Sequence, residues 1–537
     1  MGTRHRTFAL LTALIVAATT AVPDVPAQAA VAVDAPTIWT MAGTPDGGRV
    51  FVGAVEGGVL VVDAGATSAG KVAGIGRAVG LRMGEDGHTL WVGLPNDRQI
   101  AAVDATTLAV TARYDVGAEI CPGDVAPTGP FVAFAFDCLH YSDQTLPPTP
   151  TGVGVLDTRT GAVSLSPPEW SWYEPIIATS PALPGRVFAT DYLVHTVSLS
   201  MLDVSDGTVR AVTSRKLGMA NPVDLAVSPD GREVALTGVD VGGIQTYATT
   251  DLSPVTLYPT SCSSRSVAWS ADSSRLATMC NGQDYTVALF ARGTPTPLRT
   301  AAFVGGPERT PVQRGLVLDP DAGRVTIGSS GLWQPTGRYV DRIGLRPASA
   351  TVTGPARGYT TRASTFTARV LLGGAPAPAG TQVVVYREQP FDNTALGTFT
   401  TDATGSVSFT DATPRSGTWT YRAHFPGDES FARTDATATF QADKLPTALT
   451  VAFTPIRKKR GSVYGTVAVD LGPTVGHRYV TVTVTTSTGT QVLTSGSVPD
   501  GAPFTATCTV TGPTTFTATY DGNDWQDAAT ATTTAAP

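Results

Sequence analysis

An all-β chain is what the sequence predicts, and three observations predict it. The 537 residues are only 15% charged and include 56 glycines and 40 prolines, a composition suited to many short strands joined by tight turns. A unit of roughly forty residues recurs through the first two-thirds of the chain. Near Arg346-Pro347 that repeat stops and Thr-rich alternating segments replace it. Together these give a seven-bladed β-propeller over 31–346, then two immunoglobulin-like β-sandwiches over 348–442 and 445–535. Hydrophobic residues make up 42% and the net charge is -7, which excludes a disordered chain. The acidic balance makes nucleic acid an unlikely partner, since that ligand calls for a basic face.

The first element is an address. Arg4 and Arg6 precede an apolar run from Phe8 to Ala21, which is shorter than the ~20 residues of a bilayer span. Ala27-Gln28-Ala29 then offers a small-x-small cleavage site. Residues 1–29 therefore read as a secretory signal peptide. The mature chain is expected outside the cell, free or held on the envelope, as a monomer with no transmembrane segment.

The repeat comes next. Thr44-Pro45-Asp46-Gly47 leads into Val50-Phe51-Val52 and Val59-Leu60-Val61-Val62, and Glu85-Asp86-Gly87 leads into Leu90-Trp91-Val92 and Ile100-Ala101-Ala102-Val103. Comparable turns stand at Gly129-Pro130, Pro184-Gly185, Ser228-Pro229-Asp230-Gly231, Ala271-Asp272-Ser273 and Asp319-Pro320-Asp321-Ala322-Gly323. Each unit fits a four-stranded antiparallel blade whose turn between strands one and two uses Asp to cap and Gly to reverse the chain. The last unit lacks a clear fourth strand, and Val31-Ala32-Val33 is placed to supply it and close a ring. Two separate all-β sandwiches are the alternative for the same periodicity.

The segments Ile100 to Gly117 (IAAVDATTLAVTARYDVG), Val153 to Val163 (VGVLDTRTGAV) and Asn221 to Gly231 (NPVDLAVSPDG) resemble the YVTN/YncE-type propeller repeat. The resemblance covers roughly 31–346 and implies fold more than function. Propellers of this type include secreted surface proteins and nucleic-acid-binding periplasmic ones, and they resemble lactonase and lyase propellers.

Five cysteines fall in the mature chain. Cys121 and Cys138, like Cys262 and Cys280, stand just before strand one and at the end of strand two of their units. Antiparallel pairing brings those ends together, so Cys121–Cys138 and Cys262–Cys280 are expected as disulfides, each worth ~3 kcal/mol in the chain-entropy view. Cys508 is left over and alternates into the core of the second sandwich.

The two sandwich modules share an ending. Phe425-Pro426-Gly427-Asp428-Glu429-Ser430-Phe431 parallels Tyr520-Asp521-Gly522-Asn523-Asp524-Trp525, and both resemble the penultimate-strand ending of bacterial Ig-like repeats. That resemblance implies stalks or adhesive spacers on the envelope.

Chemistry is sparse. His88, His140, His195, His424 and His477 show no metal-ligand spacing, and no nucleophile elbow is present, so no metal, no cofactor and no catalytic set is assigned. Glu174, Asp224, Arg265 and Arg314 lie where strand one of a blade begins, at the channel mouth. They suit a polar ligand, or mutual pairing. Loops add Asn96, Asp97, Arg98, His140, Tyr141, Asp143, Asp191, Tyr192, His195, Asp240, Gln283, Asp284 and Tyr285, with an insertion over 139–151 overhanging that face. Trp170, Trp172 and Tyr173, beside Glu169 and Glu174, suit saccharide rings, and serve equally as an inter-blade aromatic plug. Trp333 is a further aromatic candidate. Arg457-Lys458-Lys459-Arg460 is the one dense basic run, in a hairpin of the second sandwich, where it is solvated or touches anionic polymers. The ligand expected is an envelope glycan, peptide or protein. The alternative is an extracellular lyase or lactonase acting through acidic and His groups at the mouth.

Overall fold

The computed structural model describes residues 30–537 except 36, 67, 143–149, 171, 193, 195, 220, 282–285, 303–308, 332–336, 391, 500 and 501. The proposed signal segment, His195, Trp333, Asp143, Gln283, Asp284 and Tyr285 lie outside the described residues.

Strands Ile38–Gly43, Gly80–Met83, Pro122–Thr128, Pro175–Ala178, Pro222–Val227, Ser263–Trp269 and Arg309–Leu318 each begin a four-stranded antiparallel sheet. In the sheet led by Arg309–Leu318 the outermost strand is Val31–Val33, with Val31 opposite Val340. Each leading strand packs against the next, and the last packs against the first. The result is all-β and propeller-like, with sheets arranged around an axial channel.

The turn chemistry explains the repetition. Asp46 Oδ1 accepts from Gly48 N at 2.9 Å, Asp86 Oδ1 from His88 N at 2.9 Å, and Asp272 Oδ1 from Ser274 N at 3.0 Å. Gly47 and Gly87 hold φ of 71° and 69° at the first two of these turns, where a side chain is strained, and Ser273 takes φ 60° at the third. Adjacent sheets bury alternating apolar residues between them. Phe51, Val59 and Val61 meet Leu90, Val92 and Val103, and Phe188 and Leu199 meet Leu225, Val234 and Leu236. Each such side chain stabilises the fold by about 1.5–3 kcal/mol.

Polar stitches join the sheets near the axis. Asp124 Oδ2 accepts from Ile177 N in the next sheet at 3.0 Å, and Asp224 Oδ2 accepts from Val267 N at 2.9 Å. Ser266 Oγ does the same for Gly315 N at 3.1 Å. All three sit where a register shift, a β-bulge, interrupts the pairing of the leading strand.

Cys121–Cys138 and Cys262–Cys280 are bonded, with Cα–Cα separations of 4.8 and 5.5 Å. Such bonds persist in oxidising compartments. No helix among the described residues is long and apolar enough to cross a membrane.

Two further units follow, each a pair of packed sheets. The first buries Phe366, Val383, Trp419 and Tyr421 between its sheets, and the second buries Val467, Val482 and Phe516. Cys508 is half-buried against the second core. The basic run is exposed at the tip of the hairpin formed by Leu449–Lys459 and Ser462–Leu471.

The shared endings are joints. Asp428 O accepts from Gly344 N at 3.0 Å, Ser430 O accepts from Arg346 N at 3.2 Å, and Glu429 lies 3.6 Å from Arg342. In the second unit Trp525 O accepts from Leu445 N at 2.7 Å and Asp524 O accepts from Ser416 N at 3.2 Å. Each turn thus grips the linker that precedes its own unit, through a parallel bridge at Arg346–Phe431 or Leu445–Gln526.

Candidate functional site

The leading strands deliver their first residues to one end of the channel. There a cavity of about 410 Å³ is lined by Thr37, Ile38, Trp39, Glu174, Ile176, Tyr192, Arg265 and the segment Thr310 to Arg314. It lies within the range of about 300–1,000 Å³ usual for small-ligand sites. Three of the four charges read from the sequence, Glu174, Arg265 and Arg314, line this cavity together.

Glu174 and Arg314 both sit in the left-handed region, at φ 47° and 54°. Backbone strain of this kind costs about 1–3 kcal/mol per residue and tends to be retained where a side chain must be aimed. The Arg314 guanidinium faces two carboxylates. Its Nη2 is 2.7 Å from Asp124 Oδ2, and its Nε is 3.9 Å from Asp224 Oδ1. Burial works against the Arg314 charge, but Asp124 and Asp224 outweigh it and hold the group protonated above its ordinary range. Burial pushes Asp224 up to about 6 against the pull of Arg314. Below this pairing a second cavity of about 210 Å³ continues the channel, lined by Arg82, Asp224, Trp269 and Arg314. Asp224 is therefore one layer deeper than the mouth. Its two oxygens are engaged by Val267 N and Leu225 N, so it holds the sheets rather than facing a mouth ligand.

The mouth itself is different. Arg265 Nε is shielded from water without a hydrogen-bond partner, and so is Thr310 Oγ1. Arg265 makes no ion pair among the described residues. Leaving a buried donor unpaired costs about 1–3 kcal/mol, and more for a charged group. Glu174 is 8% exposed and its carboxyl has no hydrogen-bond partner among the described residues. Burial pushes it up to about 7, against the opposing pull of His140; Asp137 adds to the rise and Arg314 opposes it. Burial also pushes the Tyr192 hydroxyl up.

Sequence reasoning missed the group that orders the rim. Asp137 caps a one-turn helix, Cys138–Tyr141, by accepting from Leu139 N and His140 N through one oxygen. Its other oxygen meets His140 Nδ1 at 2.7 Å and Glu174 N at 3.1 Å. His140 Nε2 is 3.1 Å from the half-exposed Tyr173 hydroxyl, and the two rings meet edge-on at 4.6 Å. The Cys121–Cys138 bond ties this turn to the start of its sheet. Tyr141 is buried, donates to Pro175 O at 2.6 Å, and lies so close to Gly123 that a Cβ there would meet its ring at 2.1 Å.

Trp170 and Trp172 are not at the mouth. They pack on the apolar layer between two sheets, beside Val155, Val187 and Leu202. The reason is local: the outer strand Val163–Leu165 has 3 residues, the neighbouring Arg210–Met219 has 10, and the two indoles occupy the uncovered face. A separate groove of about 460 Å³ remains there, lined by both indoles, Asp191, Ser198, Val212 and Ser214. Of the aromatic cluster only Tyr173 reaches the rim of the channel.

One signal could have found Asp124. Pro122-x-Asp124-Val125-Ala126 repeats as Pro222-x-Asp224-Leu225-Ala226, and Arg265-Ser266-Val267-Ala268 holds the same place. Thr310 and Asp137 carry no comparable mark. Among the described residues no group of His, Cys, Asp and Glu is placed to hold a metal ion.

No family model matches the chain, and no curated protein matches it. Among solved structures the chain is similar to one described as "Crystal Structure of Mitotic Checkpoint Complex", at 13% identity and a TM-score of 0.45, over 63% of this chain and 100% of that one.

Proposed function

We propose that this chain is a secreted, envelope-associated binding protein. It is read as a seven-bladed propeller of YVTN/YncE type carried on two immunoglobulin-like modules, with the propeller mouth recognising a glycan, peptide or protein and the modules acting as a stalk. One observation carries the reading. The mouth cavity is walled by a cation, a carboxyl and a hydroxyl that have no partner among the described residues, Arg265, Glu174 and Thr310. Unpaired buried groups of this kind carry a cost that a bound ligand would offset. The two joints support the stalk, because each fixes a unit to its predecessor through backbone hydrogen bonds rather than a loose linker. The exposed basic hairpin adds an attraction for anionic wall polymers.

The test is co-sedimentation of the mature chain with isolated cell envelopes. The wild type is expected to pellet, and Gln313→Trp, which fills the cavity without touching a charge, is expected to stay in solution. Equal pelleting of both would remove the mouth as the recognising face.

A second reading is favoured by the Asp137–His140–Tyr173 array beside Glu174. A carboxylate-oriented imidazole and a carboxyl titrating near neutrality suit general acid–base chemistry of lyase or lactonase type. Turnover of a lactone or an acidic polysaccharide that His140→Ala abolishes would move the assignment there.

A further inference from the structure

Resting on the mouth as a binding site, we propose that its ligand carries a carboxylate, held by the Arg265 guanidinium, on a body of small-molecule size. The argument begins with what each arginine of the channel does. Arg314 is held by Asp124 at 2.7 Å, and Arg82 donates to Ile177 O at 3.4 Å. Arg265 alone of the three has no acceptor among the described residues, although its Nε is closed off from water. A planar guanidinium presents two parallel N–H groups, and the acceptor that matches them is a carboxylate.

The charges around the axis then limit the ligand to one negative charge. Arg82, Arg265 and Arg314 face Asp124, Asp224 and Glu174. Burial favours the neutral form of Glu174, so three guanidiniums face two charged aspartates, and one added carboxylate balances them. A dianion such as phosphate would set its second charge against the two aspartates of the layer below, where Arg314 is already held by Asp124 and Arg82 by the Ile177 carbonyl. The remaining wall describes the body of the ligand. Ile38, Trp39, Ile176, Pro311 and Val312 offer an apolar side, while Thr310 and Gln313 offer hydrogen bonds next to it. A cavity of about 410 Å³ holds a sugar acid or an acylated amino acid, the two sources of such a carboxylate at an envelope.

The test is calorimetric titration of the full mature chain at neutral pH. The probes are D-glucuronate and N-acetyl-L-alanine, each against its uncharged counterpart, D-glucose and N-acetyl-L-alaninamide, with inorganic phosphate as the dianion. At least one carboxylate is expected to bind about tenfold or more tighter than its uncharged counterpart, and phosphate more weakly than that carboxylate. Binding of glucuronate alone assigns the source to acidic sugars, and binding of acetylalanine alone assigns it to peptide C-termini. Arg265→Lys keeps the charge but loses the fork, and is expected to weaken binding about tenfold. The wild-type comparison stands by itself should the variant fold poorly. Equal binding of a carboxylate and its counterpart, binding of neither carboxylate, or tighter binding of phosphate overturns the proposal. If envelopes still pellet the wild type and not Gln313→Trp while no carboxylate binds, only this proposal falls and the mouth keeps its role.

Discussion

Two layers of one channel, a few residues apart along the same strands, are built on opposite rules. In the lower layer Arg314, Asp124 and Asp224 satisfy one another, each aspartate also accepts a backbone N–H from the adjacent sheet, and Arg82 keeps one bond, to Ile177 O, with its Nε unbonded. In the upper layer Arg265, Thr310 and Glu174 face a cavity without partners among the described residues. The same residue types appear in both. The difference is satisfaction: the lower layer contributes to holding the ring together, and the upper layer carries an energetic cost that a ligand would offset. A charged residue near the axis is therefore not by itself a site residue, as Asp224 shows.

The largest effect should come from breaking the lower layer. Arg314→Met leaves two buried carboxylates without their cation and is expected to cost about 3–5 kcal/mol. A chemical denaturation midpoint unchanged from the wild type would show that the pairing does not hold the sheets.

Glu174 gives the next effect, and its sign is the reverse of a paired carboxylate. The folded state holds its proton up to about 7, whereas the reference value is 4.5. The folded chain therefore binds more protons than the unfolded chain between those values, and stability falls as pH rises through that window. The loss, up to about 3 kcal/mol, is fully present above the folded value and absent below the unfolded one. Asp137, His140, Tyr141, Tyr192 and Arg314 surround this carboxyl and are unchanged in Glu174→Gln, so the variant isolates the effect. The stability of the wild type relative to Glu174→Gln should drop on going from pH 4.5 to pH 7. A constant difference across that range would place Glu174 in water.

The smallest effect sharpens the contrast most. Arg265→Gln removes a cation with no partner among the described residues, so stability is expected to hold level or rise rather than fall. A loss as large as that of Arg314→Met would mean that Arg265 is a structural ion after all.

Much of this architecture is legible in the residues, and for particular reasons. Pro45-Asp46-Gly47 and Pro229-Asp230-Gly231 mark turns because Asp at that position caps the backbone and Gly accepts the reversal at low cost. The two cysteine pairs are readable because antiparallel strands bring their ends together. Glu174, Arg265 and Arg314 are readable as a group because each lies just upstream of the apolar core segment of a leading strand. For Trp170 and Trp172 the residues leave two readings open, a saccharide site or a plug between sheets, and the structure places both indoles on an inter-sheet layer. Their position depends on a strand of three residues leaving its neighbour's face bare, and strand length at a sheet edge is weakly encoded.

By itself, then, the sequence determines the repeat, the turns, the cysteine bridges and the change of composition after residue 346, all set by local rules of a few residues' range. Only the tertiary structure decides which polar groups are satisfied. Arg314 meets Asp124 at a sequence separation of 190, and Arg265 meets no acceptor among the described residues, yet both arginines lie in leading strands of their sheets. The physical reason is that a hydrogen bond or ion pair depends on distances of a few ångströms between different sheets, and closing the ring sets those distances all at once.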